Sequence, residues 1–389
     1  MMWTTYNEYV PEFLQSFGLS ALVVTAVLTA DNALGFFLEP AAGLLSDRTR
    51  SRFGRRLPWI LIGVPVAATC LALIPIPVIF LAGRGGVIGA QTGGLLSPLA
   101  LFIAGMLLAM AVFRTPTVAM MPDLVESPQR SLANGLLQML SGAGTLSALV
   151  FGAWLAARYG PAGAFWLAST VMILCAVLLW ALVGSPASAT AARSITYTPR
   201  MWREIVLLLG AIAAGWLGFI FVDRSLPGFL ARGWGLSELQ AEGYRRFLLL
   251  VIAVAAIPAG AVADHVGRQR SLLLGAGLMV VALGAAALAA PPLPVTTLLI
   301  GLAGLGWASM TVNSLPMLLD LGPEGRLGTS TGLYYLAFAA AGLTAPWLTR
   351  ATSPDARAAI WLGVGFLVVA LVAVAAMRTG AGEVELSPG

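Results

Sequence analysis

Long apolar runs, each ended by a short polar stretch, recur from one end of the chain to the other. A helix needs about 20 mostly apolar residues to cross the hydrocarbon core of a bilayer. Eleven such runs read clearly. They are Leu19–Leu45, Pro58–Phe80, Pro98–Met121, Leu132–Leu155 and Phe165–Val183, then Ile205–Phe221, Phe247–Ala263, Leu272–Ala290, Val295–Leu319, Leu327–Leu348 and Ala358–Met377. The stretch Gly184–Arg203 is rich in Ser, Ala, Thr and Pro and reads as a linker between two halves. Met1–Phe17 carries Asn7, Glu8, Pro11 and Glu12 and is short and polar for a span, yet two matching halves require it as the first helix. The pattern predicts an all-α membrane protein of two pseudo-symmetric six-helix bundles, over 1–183 and 204–378. A cytoplasmic linker is expected over 184–203 and a cytoplasmic tail over 379–389. The first helix is expected to be truncated, with its beginning upstream of Met1.

Composition points the same way. Of 389 residues, 59% are hydrophobic and 10% charged, against about 25% charged in a soluble domain. The N-terminus does not read as a secretory signal peptide. All 22 cationic residues are arginines, and they fall mainly in short inter-helix loops. Anionic lipid and topology account for that placement better than nucleic acid. Cys70 and Cys175 lie inside apolar runs and are expected to be buried small hydrophobes, not a disulfide or a metal site.

Charge sets the orientation. Arg48, Arg50, Arg52, Arg55 and Arg56 stand between the second and third runs, and such a cluster marks the cytoplasmic side. That choice places thirteen arginines in cytoplasmic segments and seven in external ones. The second half repeats the first. Gly43, Asp47 and Arg48, followed by Gly54, Arg55 and Arg56, are echoed by Gly260 and Asp264, followed by Gly267 and Arg268. Asp123 with Arg130 is echoed by Asp320 with Arg326. Paired bundles that rock about a central site are the architecture of alternating access. Aspartates at helix starts and arginines at helix ends form contacts that hold one conformation and release in another; the plainer reading is that they anchor topology.

With these residues in view, the chain resembles the major facilitator superfamily over nearly its whole length. Its first loop is similar to that of the glycoside–pentoside–hexuronide:cation symporters and the sucrose–proton symporters. The residues that carry this are Glu39-Pro40, Gly43, Asp47, Thr49-Arg50-Ser51-Arg52, Gly54-Arg55 and Pro58-Trp59-Ile60-Leu61. Arg114-Thr115-Pro116, Ser131-Leu132-Ala133-Asn134-Gly135 and Asn313-Ser314-Leu315-Pro316-Met317 resemble bacterial relatives of the sucrose symporters. The resemblance implies twelve helices and cation-coupled uptake of glycosides. The chain departs from the melibiose-type pattern: Glu39 matches the second of two acidic residues on the second helix, but Gly35 stands where the first would be. A proton rather than sodium is therefore the expected coupling ion. Val118 stands near the place of an arginine in the plant sucrose transporters, with Arg114 one turn earlier.

Charges inside the runs are the coupling candidates, because a charge in hydrocarbon persists where it meets a partner or a cavity. Glu39 precedes Asp47 by eight residues and Arg114 precedes Asp123 by nine. At 1.5 Å per residue these depths are about 12 Å and about 13–14 Å, so the two can meet as an ion pair if their helices are neighbours. Asp31 has no cation at its own level in the sequence. It is either the proton carrier, or an aspartate in water near the outer vestibule or bonded to its helix neighbours. Asp223 and Arg224 are expected at the outer interface. The expected substrate-binding residues are Asn7, Asn32, Asn134, Gln138, Trp307 and Asn313, with Tyr6, Trp216, Tyr334 and Tyr335 as further candidates. Polar groups of this kind also join helices to one another.

The expected function is proton-coupled symport of a sugar or glycoside, in a bacterial inner membrane, by a monomer that needs no cofactor and no metal. A proton-coupled antiporter exporting an amphipathic or charged molecule fits the same fold, but calls for an apolar cavity rather than a polar, aromatic-lined one. No metal-ligand cluster, nucleophile with base, or phosphate loop indicates an enzyme.

Overall fold

In the computed structural model, residues 1–83, 92–183, 198–289, 291–352 and 355–378 are described. Every regular element among them is a helix. Twelve helical segments follow in order: α1 (Met2–Ser16), α2 (Ala21–Arg48), α3 (Leu57–Ala82), α4 (Thr92–Leu124), α5 (Ser127–Tyr159), α6 (Ala162–Val183), α7 (Pro199–Trp234), α8 (Glu238–Val266), α9 (Arg268–Ala289), α10 (Leu293–Leu321), α11 (Leu327–Thr352) and α12 (Ala356–Ala375). All but α1 and α11 are long and apolar enough throughout to cross a membrane. With 15 residues, α1 is about 22 Å long, less than the hydrocarbon thickness of about 30 Å.

Helix starts follow local chemistry more than hydropathy. The linker was expected to run to Arg203, but α7 begins at Pro199. Pro199 occupies the first turn, and the Thr198 hydroxyl caps the helix by accepting from Met201 N–H at 3.2 Å. The apolar run starts only at Ile205, so the polar first turns of α7 are silent in a hydropathy reading. The rest of the linker, 184–197, and the expected tail, 379–389, lie outside the described residues. At α8, Ser237 and Gln240 form a capping box, which sets the start nine residues before the expected Phe247. Cys70 is half-buried and Cys175 is exposed, so neither is the buried residue expected. An apolar thiol on a helix that faces lipid needs no protein around it.

The helices form two compact units. The first holds Met1–Met120 and the helical residues from Ala143 to Val183. The second holds Met121–Gly142 and the described residues from Thr198 onward. The expected division at residue 183 is thus crossed by one segment, and α5 contributes its two parts to different units. In the first unit α3 packs on α6, and α1 also packs on α6. Phe13 stacks on Phe165 with ring centroids 5.5 Å apart, and Tyr6, Val10 and Leu14 are buried along the same helix. Short as it is, α1 is therefore an integral part of this bundle. A π-helical turn interrupts α5 at Ala148–Gly152.

In the second unit α7 packs most extensively on α12, and α9 on α10. Glycine decides how close α9 and α10 come. A Cβ on Gly306 would lie 2.5 Å from the Gly275 carbonyl oxygen, and one on Gly275 would lie 2.7 Å from that of Gly306. Between membrane helices, where apolar burial gives no advantage over lipid, such backbone proximity supplies the packing attraction. Gly306→Ala should therefore destabilise the protein by about 1–3 kcal/mol. Gly277→Ala on the same α9, where a Cβ meets nothing within 4 Å, should be neutral or slightly stabilising. Thermal unfolding in detergent reads both; equal melting temperatures for the two variants would contradict the packing account.

Candidate functional site

Three charged groups meet inside the first unit. Arg114 Nε on α4 lies 3.0 Å from Glu39 Oε1 on α2, and Glu39 is 2% exposed. The pair expected from helix depth is thus present. Arg114 also attracts Asp31, while the two carboxylates repel each other. As its level in the sequence suggests, Asp31 makes no ion pair among the described residues, although it lies in the field of Arg114. Asp31 accepts from Asn32 Nδ2 at 3.1 Å. Tyr6, buried on α1, lies within electrostatic reach of Asp31 and donates its hydroxyl to the Val27 carbonyl at 3.4 Å. Glu39 Oε2 is buried with no hydrogen-bond partner among the described residues. Glu39 is therefore ion-paired with Arg114, and Asp31 lies within electrostatic reach of the same guanidinium without pairing to it among the described residues.

A second charged group lies at one end of the second unit. Asp320, at the end of α10, accepts from Arg268, from Ser127 Oγ at 2.7 Å and from Arg130 at 3.4 Å. Arg268 also donates to the Ser127 carbonyl and to Ser131 Oγ, the latter at 2.9 Å. Asp264, four residues before Arg268, is 4.0 Å from it and accepts from the Leu132 backbone N–H at 3.2 Å. Sequence reading expected such aspartates to accept from a neighbouring helix start and such arginines to meet carboxylates, but did not single out Ser127. Gly267, at φ 98°, turns the chain between α8 and α9. In the first unit the corresponding loop is tied differently. Arg56, 1% exposed, donates to Asp47 at 2.6 Å, and Gly54 makes the tight turn at φ 80°. Gly43 is buried on α2, Arg48 is exposed and Arg55 is half-buried. Asp123 is half-buried at the end of α4, and Arg326 is exposed before α11.

The expected substrate residues divide into exposed and engaged groups. Asn7 is exposed on α1, and Asn32 and Gln138 are half-buried. Asn134 is 5% exposed, and its amide donates to the Val312 carbonyl at 2.7 Å. Asn313 is fully buried, donates to the Ser309 carbonyl at 2.8 Å, and leaves its own oxygen without a partner among the described residues. Trp307 is 3% exposed and stacks on Phe219 at 4.3 Å, with Trp216 set edge-on at 5.0 Å. Phe338 of α11 meets Trp216 at 4.5 Å, and Tyr335 follows at 6.5 Å from Phe338. Phe219 and Phe338 were not singled out from sequence, because phenylalanine is also the ordinary filler of lipid-facing surface. Asp223, read as interfacial, makes a two-pronged pair with Arg245 of α8 at 2.9 and 3.1 Å.

Backbone proximity joins α5 and α8 beside these groups. A Cβ on Gly135 would lie 2.4 Å from the Ala256 carbonyl oxygen, and one on Gly260 would lie 2.4 Å from that of Ser131.

Among known proteins, the chain matches the family described as Major Facilitator Superfamily over residues 1–346 and again over 225–387. An uncharacterized symporter of Synechocystis is 48% identical over 61 residues, which cover 15% of this chain and 11% of that protein. The sucrose transport protein SUT4 of Oryza sativa subsp. indica is 27% identical over 144 residues, 34% of this chain and 24% of that one. The matched stretches thus span less than a third of either relative. Among solved structures, a bacterial homologue of the iron transporter ferroportin, in an outward-facing state, has a TM-score of 0.76 over 96% of both chains at 18% identity. That is a likeness of fold.

The buried Glu39–Arg114 pair, with Asp31 within electrostatic reach, predicts an asymmetry. Arg114→Gln leaves two carboxylates unanswered and should cost about 3–5 kcal/mol, whereas Glu39→Gln leaves Arg114 balanced by Asp31 and should cost less. The double variant should be more stable than Arg114→Gln alone. Thermal unfolding of the three variants checks this; equal losses from the two single substitutions would contradict it.

Proposed function

The chain belongs to the major facilitator superfamily, and from that premise we propose that it is a secondary transporter working by alternating access, coupling the entry of a sugar or glycoside to the entry of protons. The observation that carries this reading is the buried Glu39–Arg114 ion pair, with Asp31 within electrostatic reach of the same guanidinium. With all three ionised the group has one surplus negative charge, which a single proton neutralises. Proton uptake then changes how firmly Arg114 is held, and so links protonation to the packing of α2 against α4. Asp31 is the proton carrier, Glu39 the fixed partner, and Arg114 the group that responds to the change.

The cargo is read from two supports. Relatives named as a symporter and as a sucrose transport protein match parts of the chain. Aromatic faces also suit the C–H surfaces of sugars, and Trp216, Phe219, Tyr335 and Phe338 are the half-buried members of the aromatic group. Trp307, buried behind Trp216, is a supporting residue in this reading, and Asn134 and Asn313 set the course of α10. The Asp320–Arg268 group and the Asp264–Leu132 contact form a latch that opens in the transport cycle. Gly43, Asp47, Gly54 and Arg56 hold the matching loop of the first half, on the cytoplasmic side of a bacterial inner membrane.

The test uses tight proteoliposomes that enclose a pH-sensitive dye. External sucrose, maltose, trehalose and melibiose are added one at a time. Internal acidification with one of them is the expected result. Asp31→Asn should still bind that sugar but no longer acidify the lumen. Silence with all four sugars in vesicles shown to be tight would favour export or another cargo; unchanged acidification in Asp31→Asn would remove that residue from the coupling.

A further inference from the structure

Beside the arginine-rich loop, the start of α3 and the middle of α4 leave a groove of about 650 Å³ on the first unit. Its walls are apolar and include Ile62, Val66, Leu108 and Val112. Ile62 is 70% exposed and Leu108 47%, so the groove is open along its length. One end is different. There Trp59 and Thr49 line the groove, and the indole N–H donates to the Thr49 hydroxyl at 2.9 Å. Thr49 is flanked by Arg48 and Arg50, both exposed and, among the described residues, without a side-chain partner. The one acid of the loop, Asp47, is held by Arg56, and the sequence from Arg48 to Pro122 contains no acidic residue.

An apolar channel that ends at Thr49 and Trp59, with the exposed Arg48 and Arg50 adjoining Thr49 in the chain, matches one chemistry. We propose that this groove holds a single anionic phospholipid of the arginine-side leaflet. Its acyl chain lies along Ile62, Val66 and Leu108, and its phosphate sits at Arg48 and Arg50. Guanidinium groups bind phosphate oxygens in two-pronged fashion, and basic segments next to membrane helices concentrate anionic lipid. Trp59 lies at the depth where indoles favour the headgroup boundary. A zwitterionic lipid can fill the same groove, but its own ammonium competes for the phosphate and leaves the arginines without net compensation. Selectivity for an anionic head is therefore the signature. The proposal depends on the topology read above only for the identity of the leaflet, and not on any cargo.

The test uses purified full-length protein in detergent, stripped of lipid and titrated with phosphatidylglycerol or phosphatidylcholine, with native mass spectrometry counting bound lipids. The protein should retain one phosphatidylglycerol with at least tenfold preference over phosphatidylcholine. Arg48→Gln with Arg50→Gln should bring that preference to parity, while Arg48→Lys with Arg50→Lys, which keeps the charge, should retain most of it. Val66→Phe, an exposed position in the groove wall, should lower occupancy by both lipids. Equal retention of both lipids by the unaltered protein, preference that survives the glutamine pair, or occupancy unaffected by Val66→Phe would each overturn the proposal. So would complete displacement by soluble glycerol phosphate, which would mark an anion site with no place for a chain. Lipid counting does not depend on transport, so failure here leaves the coupling reading untouched, and failure of coupling leaves this one standing.

Discussion

A charge that cannot reach water must be answered from within the protein, and most of the polar architecture here follows from that requirement. Glu39 is almost fully buried and meets Arg114, and Arg114 in turn attracts Asp31. The middle parts of α2 and α4 are mainly apolar, so the Glu39–Arg114 pair is a polar constraint on how these two helices align. Pro40 lies next to Glu39 and Pro116 two residues after Arg114. Each removes a backbone hydrogen bond near a buried charge. The same requirement acts at the helix ends, where Asp264 answers the unpaired N–H of Leu132 and Arg268 answers the carboxylate of Asp320.

The two units meet this requirement by different means. At the arginine-rich helix ends of the first unit, polar pairs close within one loop, between Arg56 and Asp47 and between Trp59 and Thr49. In the second, they join segments far apart in sequence. Arg268 touches Ser127 and Ser131 at the start of α5 and Asp320 at the end of α10. One guanidinium with five donors in a rigid fork suits such a junction, which a lysine could not fill in the same way. Around it Gly135 and Gly260 bring the backbones of α5 and α8 together, so polar contact and close packing reinforce each other.

Depth was legible in the sequence because the rise per helical residue is fixed. Counting back from Asp47 and Asp123 put Glu39 and Arg114 at one level, and the structure pairs them. The reach of Arg114 toward Asp31 was not legible, since side-chain length and direction are set by packing. The internal repeat singled out Asp264, Arg268 and Asp320, and their chemistry suggested that such an aspartate accepts from a helix start. Which helix start that is, the one at Leu132, only the fold decides. Asn134 and Asn313 were visible as polar residues in apolar runs. Whether such an amide faces a cavity or another helix depends on rotation about the helix axis, and α10, with hydrophobic residues on all sides, carries little record of it. The start of α7 was hidden for a related reason: Thr198 and Pro199 shape a helix through capping, which hydropathy does not register.

The division of α5 between the two units has a consequence for how the protein is made. Asn134 bonds to Val312, 178 residues further along the chain. At about 5–20 residues per second, a ribosome takes roughly 10–35 s to cover that distance. During this time the first part of α5 is already in the membrane, with its asparagine and its glycine-lined face lacking the helices they are built to meet. Membrane insertion must therefore shelter one half-finished helix until the tenth arrives, and the last steps of assembly include the docking of an early segment onto late ones.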